Sequence, residues 1–167
     1  MTNIISNILS EELFTLCDDY SKDKFKDLQK LQTNIEYWDK EIVKHSSEVF
    51  LSRIDDKSIL FEKLEGEIKK YVSQIRYKRC GISFYFWTKN SYIPWHYDLG
   101  RSCAITIYLN DDWHIDDGGL YLYKNNDTIN AVVPEKNLGI VADYKTFHAT
   151  SSIVENKIRR TIQIFLV

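Results

Sequence analysis

A histidine and an aspartate stand two apart at His96-Tyr97-Asp98, inside Trp95-His96-Tyr97-Asp98. In an extended segment side chains repeat every two residues, so this imidazole and this carboxylate point to the same side. Of the three other histidines, His148 in Lys145-Thr146-Phe147-His148-Ala149-Thr150 fits a common site. Two imidazoles and one carboxylate on one face of an octahedral ion leave positions open for exchangeable ligands. That is the donor set of non-haem ferrous centres. His45 lies in polar context and His114 in a turn, and both read as surface residues, His114 at most near the rim of the site. After His148 comes a basic pair, Arg159-Arg160, opening the last apolar run. Alternation along that run puts Arg160 with Ile162, Ile164 and Leu166, and Arg159 with Thr161, Gln163 and Phe165. The aliphatic face should pack against sheet or helix. The mixed face looks like the wall of a polar cavity, so Arg159 is the candidate anchor for an anion, and Arg160 is expected near the outer end of the strand, exposed to solvent or in a surface ion pair.

These side chains need a scaffold. Residues 1–9 read as a loose lead-in. Ser10 caps a first helix with Leu13, Phe14, Leu16 and Cys17 as its stripe, ending near Asp18-Asp19-Tyr20. Phe25, Leu28, Leu31, Ile35, Trp38 and Ile42 recur at helical spacing and predict a longer helix. Val49, Phe50, Leu51 and Ile54 read as a helical turn. Leu60, Phe61, Leu64, Ile68, Val72 and Ile75 predict a helix over 58–76. The pattern changes at Cys80-Gly81. From there come strand-like runs over 82–87, 93–97, 103–109, 120–123, 129–133, 138–142, 146–150 and 159–167, with polar turns between them. Roughly eight short strands after helices predict a mainly β chain, a jelly roll with the N-terminal helices packed on one sheet. The expected organisation is one domain over 1–167, with a helical support region over 10–78 and a β core over 81–167. Leu28, Leu31, Ile35, Leu64, Ile68 and Val72 should be buried.

Composition narrows the function. The chain has 167 residues, 44% of them hydrophobic, enough for one core. Its formal net charge of -2 gives no general attraction to nucleic acid or an anionic membrane. Cys17, Cys80 and Cys103 are odd in number and widely spaced, which argues against a disulfide framework and for reduced thiols in the cytoplasm. No apolar stretch approaches the ~18 residues of a membrane span, and no signal peptide is apparent. No motif encodes the oligomeric state.

His96, Asp98, His148 and Arg159, in that order, resemble the iron(II)- and 2-oxoglutarate-dependent oxygenases, and within them the prolyl-hydroxylase-like branch. The segment Arg101–Tyr123, RSCAITIYLNDDWHIDDGGLYLY, is similar to the stretch after the His-x-Asp motif in that branch. The resemblance covers residues 82–167. It implies a double-stranded β-helix, also called a jelly roll or cupin-like fold. It implies Fe(II) held by His96, Asp98 and His148, with 2-oxoglutarate and O2 as cosubstrates and ascorbate as an allowed reductant. The far carboxylate of 2-oxoglutarate would meet Arg159, whose planar fork fits it, and Tyr108, which matches the tyrosine before Leu-Asn. Arg101 matches an arginine on the substrate side, and Tyr92 and Trp113 are chosen as rim residues from their positions. The retained Asp98 implies hydroxylation, because a small residue there would leave a site for chloride. The loop from Asp98 to Arg101 is shorter than in oxygen-sensing relatives, the spacing from His148 to Arg159 is slightly longer, and no segment comes after the last strand. The expected substrate is therefore a small amino-acid-like molecule, hydroxylated at an aliphatic C–H. The alternatives are a proline-containing protein, for which residues 101–123 speak, or a binding module of the same fold without turnover. A zinc-type hydrolase or a cupin-like non-oxygenase could use the triad, but neither requires Arg159.

Overall fold

The computed structural model describes residues 2–33 and 43–167. Among them are eleven strands and two α-helices. Strand β1 is Thr2–Ile5 and helix α1 is Glu11–Phe25. Strands β2, Gln32–Thr33, and β3, Val49–Arg53, precede helix α2, Ile59–Ile68. Then come β4 (Cys80–Trp87), β5 (Ile93–His96), β6 (Cys103–Tyr108), β7 (Tyr121–Asn125), β8 (Thr128–Val132), β9 (Gly139–Asp143), β10 (His148–Thr150) and β11 (Arg159–Leu166).

The strands form two antiparallel sheets. The larger runs β1-β9-β6-β11-β4-β3-β2 and the smaller β5-β10-β7-β8. From β4 onward the chain alternates between them: β4 large, β5 small, β6 large, β7 and β8 small, β9 large, β10 small, β11 large. That winding is a double-stranded β-helix, and its eight strands are the eight runs expected from the sequence. Alternation along β11 and β4 explains the packing. Ile162, Ile164 and Leu166, with Ile82, Phe84 and Phe86, are buried on one face. They meet Leu13, Phe14 and Cys17 of α1 and Phe61, Leu64 and Ile68 of α2 in one apolar cluster. Burying each such large side chain stabilises the fold by about 1.5–3 kcal/mol as an upper estimate. The opposite face of the same strands is left to line the space between the sheets.

The helices start where capping chemistry places them. Ser10 accepts a hydrogen bond from the Leu13 N–H, and Ser58 accepts one from the Phe61 N–H. Elsewhere the sequence reading is corrected. The lead-in is strand β1, paired along its length with β9. The first helix continues past Tyr20 to Phe25. The helix expected from Phe25 onward is not formed over Leu28–Thr33, which is a 3-10 turn and then β2. Pairing of β2 with β3 satisfies backbone groups at the sheet edge, and this outweighs a weak helical period. Leu28 and Leu31 still pack against the core, half-buried. Ile35, Trp38 and Ile42 lie outside the described residues. Val49–Arg53 is strand β3 and not a helical turn, since it fills the edge of β4. Helix α2 stops at Ile68, passing into a 3-10 turn over Lys69–Tyr71. The support region over 10–78 is thus helix and strand together. No helix among the described residues is long and apolar enough to cross a membrane.

Candidate metal and anion site

The inner faces of the two sheets enclose a cavity of about 690 Å³. His96 ends β5, and β10 brings His148 directly opposite it in the register of the small sheet. Asp98 lies in the bend after β5. One donor atom from each of the three lies within 4.8 Å of the others. The two imidazole centroids are 4.2 Å apart, and His148 Nε2 is 3.6 Å from Asp98 Oδ2. Among the described residues no second cluster of three such side chains forms. His45 and His114 are exposed. Trp95 and Tyr97 turn the other way from β5 and pack on Phe147, with centroids 5.2 and 4.8 Å away, so alternation separates the aromatic cluster from the histidine.

Hydrogen bonds decide which atoms face inward. His96 Nδ1 is 2.8 Å from the Pro94 carbonyl, and His148 Nδ1 is 2.9 Å from the Thr146 carbonyl. A carbonyl only accepts, so each Nδ1 is the protonated, donating nitrogen and each Nε2 is the basic nitrogen of its ring. This is how outer hydrogen bonds prepare histidine for a metal. Arg101 Nη1 lies 2.5 Å from Asp98 Oδ1, which leaves Oδ2 as the oxygen facing the histidines. The Arg101 guanidinium carbon lies over Phe165, 3.5 Å from the ring centroid. It lines the cavity, but one arm of its fork is committed to Asp98. Arg101→Ala is expected to lower divalent-metal affinity about 10- to 100-fold, the usual cost of losing such a support. Manganese titration by electron paramagnetic resonance measures it, and an unchanged affinity would contradict the role.

His96 titrates below the ordinary imidazole value, first because burial disfavours its charged form and next because His148 faces it. The folded state therefore binds the proton less readily than the unfolded one. The stability this contributes is present above the unfolded value of about 6.5 and is lost as pH falls through the lowered folded value. In the metal-free protein the His96 ring should titrate with a midpoint below about 6.5. Proton resonances of the ring, assigned with a His96→Gln variant, will report it, and a midpoint above that value would contradict the burial argument.

The second charged feature is Arg159, 2% exposed at the start of β11. Its guanidinium carbon sits 4.3 Å from the Trp87 ring and 5.8 Å from the Tyr108 ring. Nη1 donates to the Gly119 carbonyl. Nε has no partner, and among the described residues no carboxylate pairs with Arg159. An unpaired buried donor costs about 1–3 kcal/mol, and more when charged. Burial pulls the Arg159 pKa down to about 10, which still leaves it cationic at neutral pH. Burial pushes the Tyr108 phenol up to about 12, so it stays protonated and able to donate. A buried cation with an orphaned donor is chemically suited to a small anion. Arg160 goes the other way, bonding Asp18 of α1 at 2.5 Å and Ser21 at 2.6 Å.

Gly118 and Gly119 hold this corner. Both have positive φ, at 73° and 62°. A Cβ on Gly118 would collide with the Ser152 carbonyl, and one on Gly119 would press on Arg159 Nη1 and Ile153 at 3.0 Å. Trp113 belongs here and not at the rim. It is 6% exposed, packs with Val49, Trp87 and Ile153, and donates its Nε1–H to the Gly118 carbonyl at 2.9 Å. An indole next to a Gly-Gly turn has a buried acceptor within reach, and burial of the ring wins over exposure. Tyr92 is also absent from the cavity wall. It is half-buried just before β5, and its backbone N–H donates to Ser46 Oγ. Sequence reasoning missed Tyr121, which lines the cavity and stacks on His148 with centroids 5.3 Å apart. The alternation Leu120-Tyr121-Leu122-Tyr123 was the available signal, since it gives Tyr121 and Tyr123 a common face.

No family model and no curated protein matches the sequence. Solved structures do match the fold. A prolyl-4-hydroxylase from Pseudomonas putida superposes with a TM-score of 0.78 at 13% identity, over 99% of this chain and 91% of its own. A prolyl hydroxylase from Trichoplax adhaerens, solved with a peptide fragment of the hypoxia inducible factor oxygen degradation domain, gives 0.77 at 15% identity, over 99% and 82%. SnoN, a non-heme alpha ketoglutarate dependent epimerase of nogalamycin biosynthesis, gives 0.71 at 8% identity, over 99% and 78%. The likeness is one of fold, and that fold carries hydroxylases and an epimerase alike.

Proposed function

We propose that this chain is an iron(II)- and 2-oxoglutarate-dependent dioxygenase that hydroxylates an unactivated aliphatic C–H of an amino-acid-like small molecule. One observation carries the reading. A two-histidine, one-carboxylate cluster shares a single cavity with a buried arginine that no carboxylate of the described residues neutralises. The donor set fits ferrous iron, with neutral Nε2 atoms from His96 and His148 and one oxygen of Asp98, and open positions remaining. Bound iron with the keto acid supplies the oxidising chemistry by which substrate, dioxygen and 2-oxoglutarate become hydroxylated product, succinate and carbon dioxide.

The chain's own part is placement. Arg159 and Tyr108 receive the remote carboxylate of the keto acid, and Trp87 covers the guanidinium and keeps water from it. Arg101 holds Asp98 to one oxygen. Thr106 donates to Gln163 Oε1 at 2.8 Å on the cavity wall, which leaves the Gln163 amide hydrogens for a substrate acceptor. Farther along, Arg53 and Arg79 and Asp55 and Asp56 line the same cavity. Both signs of charge suit a zwitterion, which supports an amino-acid-like substrate.

A second reading, hydroxylation of proline within a protein, is favoured by the likeness to prolyl hydroxylases, one of them solved with a peptide. The test is a panel of free amino acids and proline-containing peptides with Fe(II), 2-oxoglutarate and ascorbate. Substrate-dependent succinate and a mass gain of one oxygen on a free amino acid are expected. Turnover of peptides alone would replace the first reading with the second. A product gaining chlorine or losing two hydrogens would overturn hydroxylation.

A further inference from the structure

Two buried side-chain polar atoms among the described residues have no hydrogen-bond partner, Arg159 Nε and the Tyr121 hydroxyl. Both residues line the cavity that holds His96, Asp98 and His148. Buried polar groups are almost always paired, so two orphans in one cavity mark a place for an acceptor that is not part of the chain. The two orphans are both donors. A phenol is protonated at neutral pH, so the Tyr121 hydroxyl can donate.

Position narrows the acceptor. Tyr121 is 5% exposed and lies in register with Thr150 of β10 and Val132 of β8. Its ring stacks on His148 at an interplanar angle of 23°, and it packs with Tyr108 in one buried cluster. Tyr108 in turn flanks Arg159. Tyr121 therefore bridges the metal ligands and the anion corner. Phenylalanine would fill the same space without stranding a hydroxyl, so packing alone gives no reason for the oxygen.

We propose that the Tyr121 hydroxyl donates a hydrogen bond to the metal-remote carboxylate of the keto-acid cosubstrate, one oxygen shared by Arg159 and Tyr108 and the other taken by Tyr121. Tyr121 is then a residue that selects a dicarboxylic keto acid over a monocarboxylic one. The inference rests on the oxygenase reading and adds a donor to it.

The test compares wild type with Tyr121→Phe, loaded with Fe(II) without oxygen and titrated with 2-oxoglutarate and, separately, with 2-oxobutyrate, which lacks the remote carboxylate. Tyr121→Phe should weaken 2-oxoglutarate about ten- to a hundredfold, the range for a hydrogen bond to a charged group. Binding of 2-oxobutyrate should not change. The ligand-free variant should melt no lower than wild type, because the substitution removes an unsatisfied group. Equal 2-oxoglutarate affinity, an equal loss for both keto acids, or a lower melting temperature without ligand would each overturn the proposal. Wild type that binds 2-oxoglutarate beside a variant that binds it equally sinks this inference alone. Wild type that binds neither keto acid sinks the oxygenase reading with it.

Discussion

Asp98→Ala should abolish substrate-dependent succinate formation and lower divalent-metal affinity by more than the ~100-fold ceiling for supporting groups, since the proposed role of Asp98 is that of a direct ligand. Two neutral imidazoles remain, but the anionic donor is gone. Arg101 would also lose its partner and leave a cation beside the metal, which repels it. Asp98→Asn separates shape from charge. It keeps the side-chain volume between Arg101 and His148, and it should fail at metal binding nearly as badly as alanine. Isothermal titration with manganese and a succinate assay on the same samples measure both effects. Wild-type metal affinity in either variant would remove Asp98 from the site. Far-ultraviolet circular dichroism should be unchanged, because Asp98 lies in a bend outside the core cluster.

Arg159→Ala should raise the KM for 2-oxoglutarate far more than it changes metal binding. Truncating one partner of a buried charge pair costs about 2–5 kcal/mol. At about 1.4 kcal/mol per factor of ten, that is roughly thirtyfold to several thousandfold. Arg159→Lys keeps the charge but not the fork, nor the guanidinium contact with Trp87, so it should fall between. Without ligand, Arg159→Met should be at least as stable as wild type, because it removes a buried cation that has no anionic partner in the described chain. A KM within about threefold of wild type in Arg159→Ala, less than ~1 kcal/mol, would mean the carboxylate is held elsewhere. Its adjacent control is Arg160→Ala. Loss of the bond to Asp18 should reduce stability with little effect on KM. Against the desolvation that burial imposes, hydrogen bonds from Lys22 and Arg160 hold the Asp18 carboxyl below its usual range.

Much of this site is legible in the sequence because it depends on period two. His96 and Asp98 reach one side, Trp95 and Tyr97 the other, and Arg159 and Arg160 divide between cavity and helix by the same rule. The β-helix strands are legible because polar turns bound each of them. The failures have different physical causes. Val49–Arg53 is a short apolar run, which period alone cannot tell from a buried helical turn. Thr2–Ile5 is a strand only because β9 offers it an edge, and nothing local announces that. Trp113 near a Gly-Gly turn resembled a rim residue, but its N–H has an acceptor in Gly118 and its ring a packing site beside Trp87. Arg101 lines the cavity as its place after Asp98 suggested, but its ion pair with Asp98 across the turn after β5 is not announced by the sequence. Tyr121 could be placed on a face from the sequence, but that its hydroxyl lacks a partner is a fact of three dimensions.

The central claim is that His96, Asp98 and His148 hold ferrous iron within reach of a keto acid anchored by Arg159. Anaerobic titration of the protein with Fe(II) and 2-oxoglutarate, monitored by visible absorption, tests it most directly. A chelated keto acid on ferrous iron should give a metal-to-ligand charge-transfer band that saturates at one equivalent of iron. The band should vanish in Asp98→Ala and require far more 2-oxoglutarate in Arg159→Ala. No band in the wild-type protein at saturating iron and 2-oxoglutarate would contradict the account.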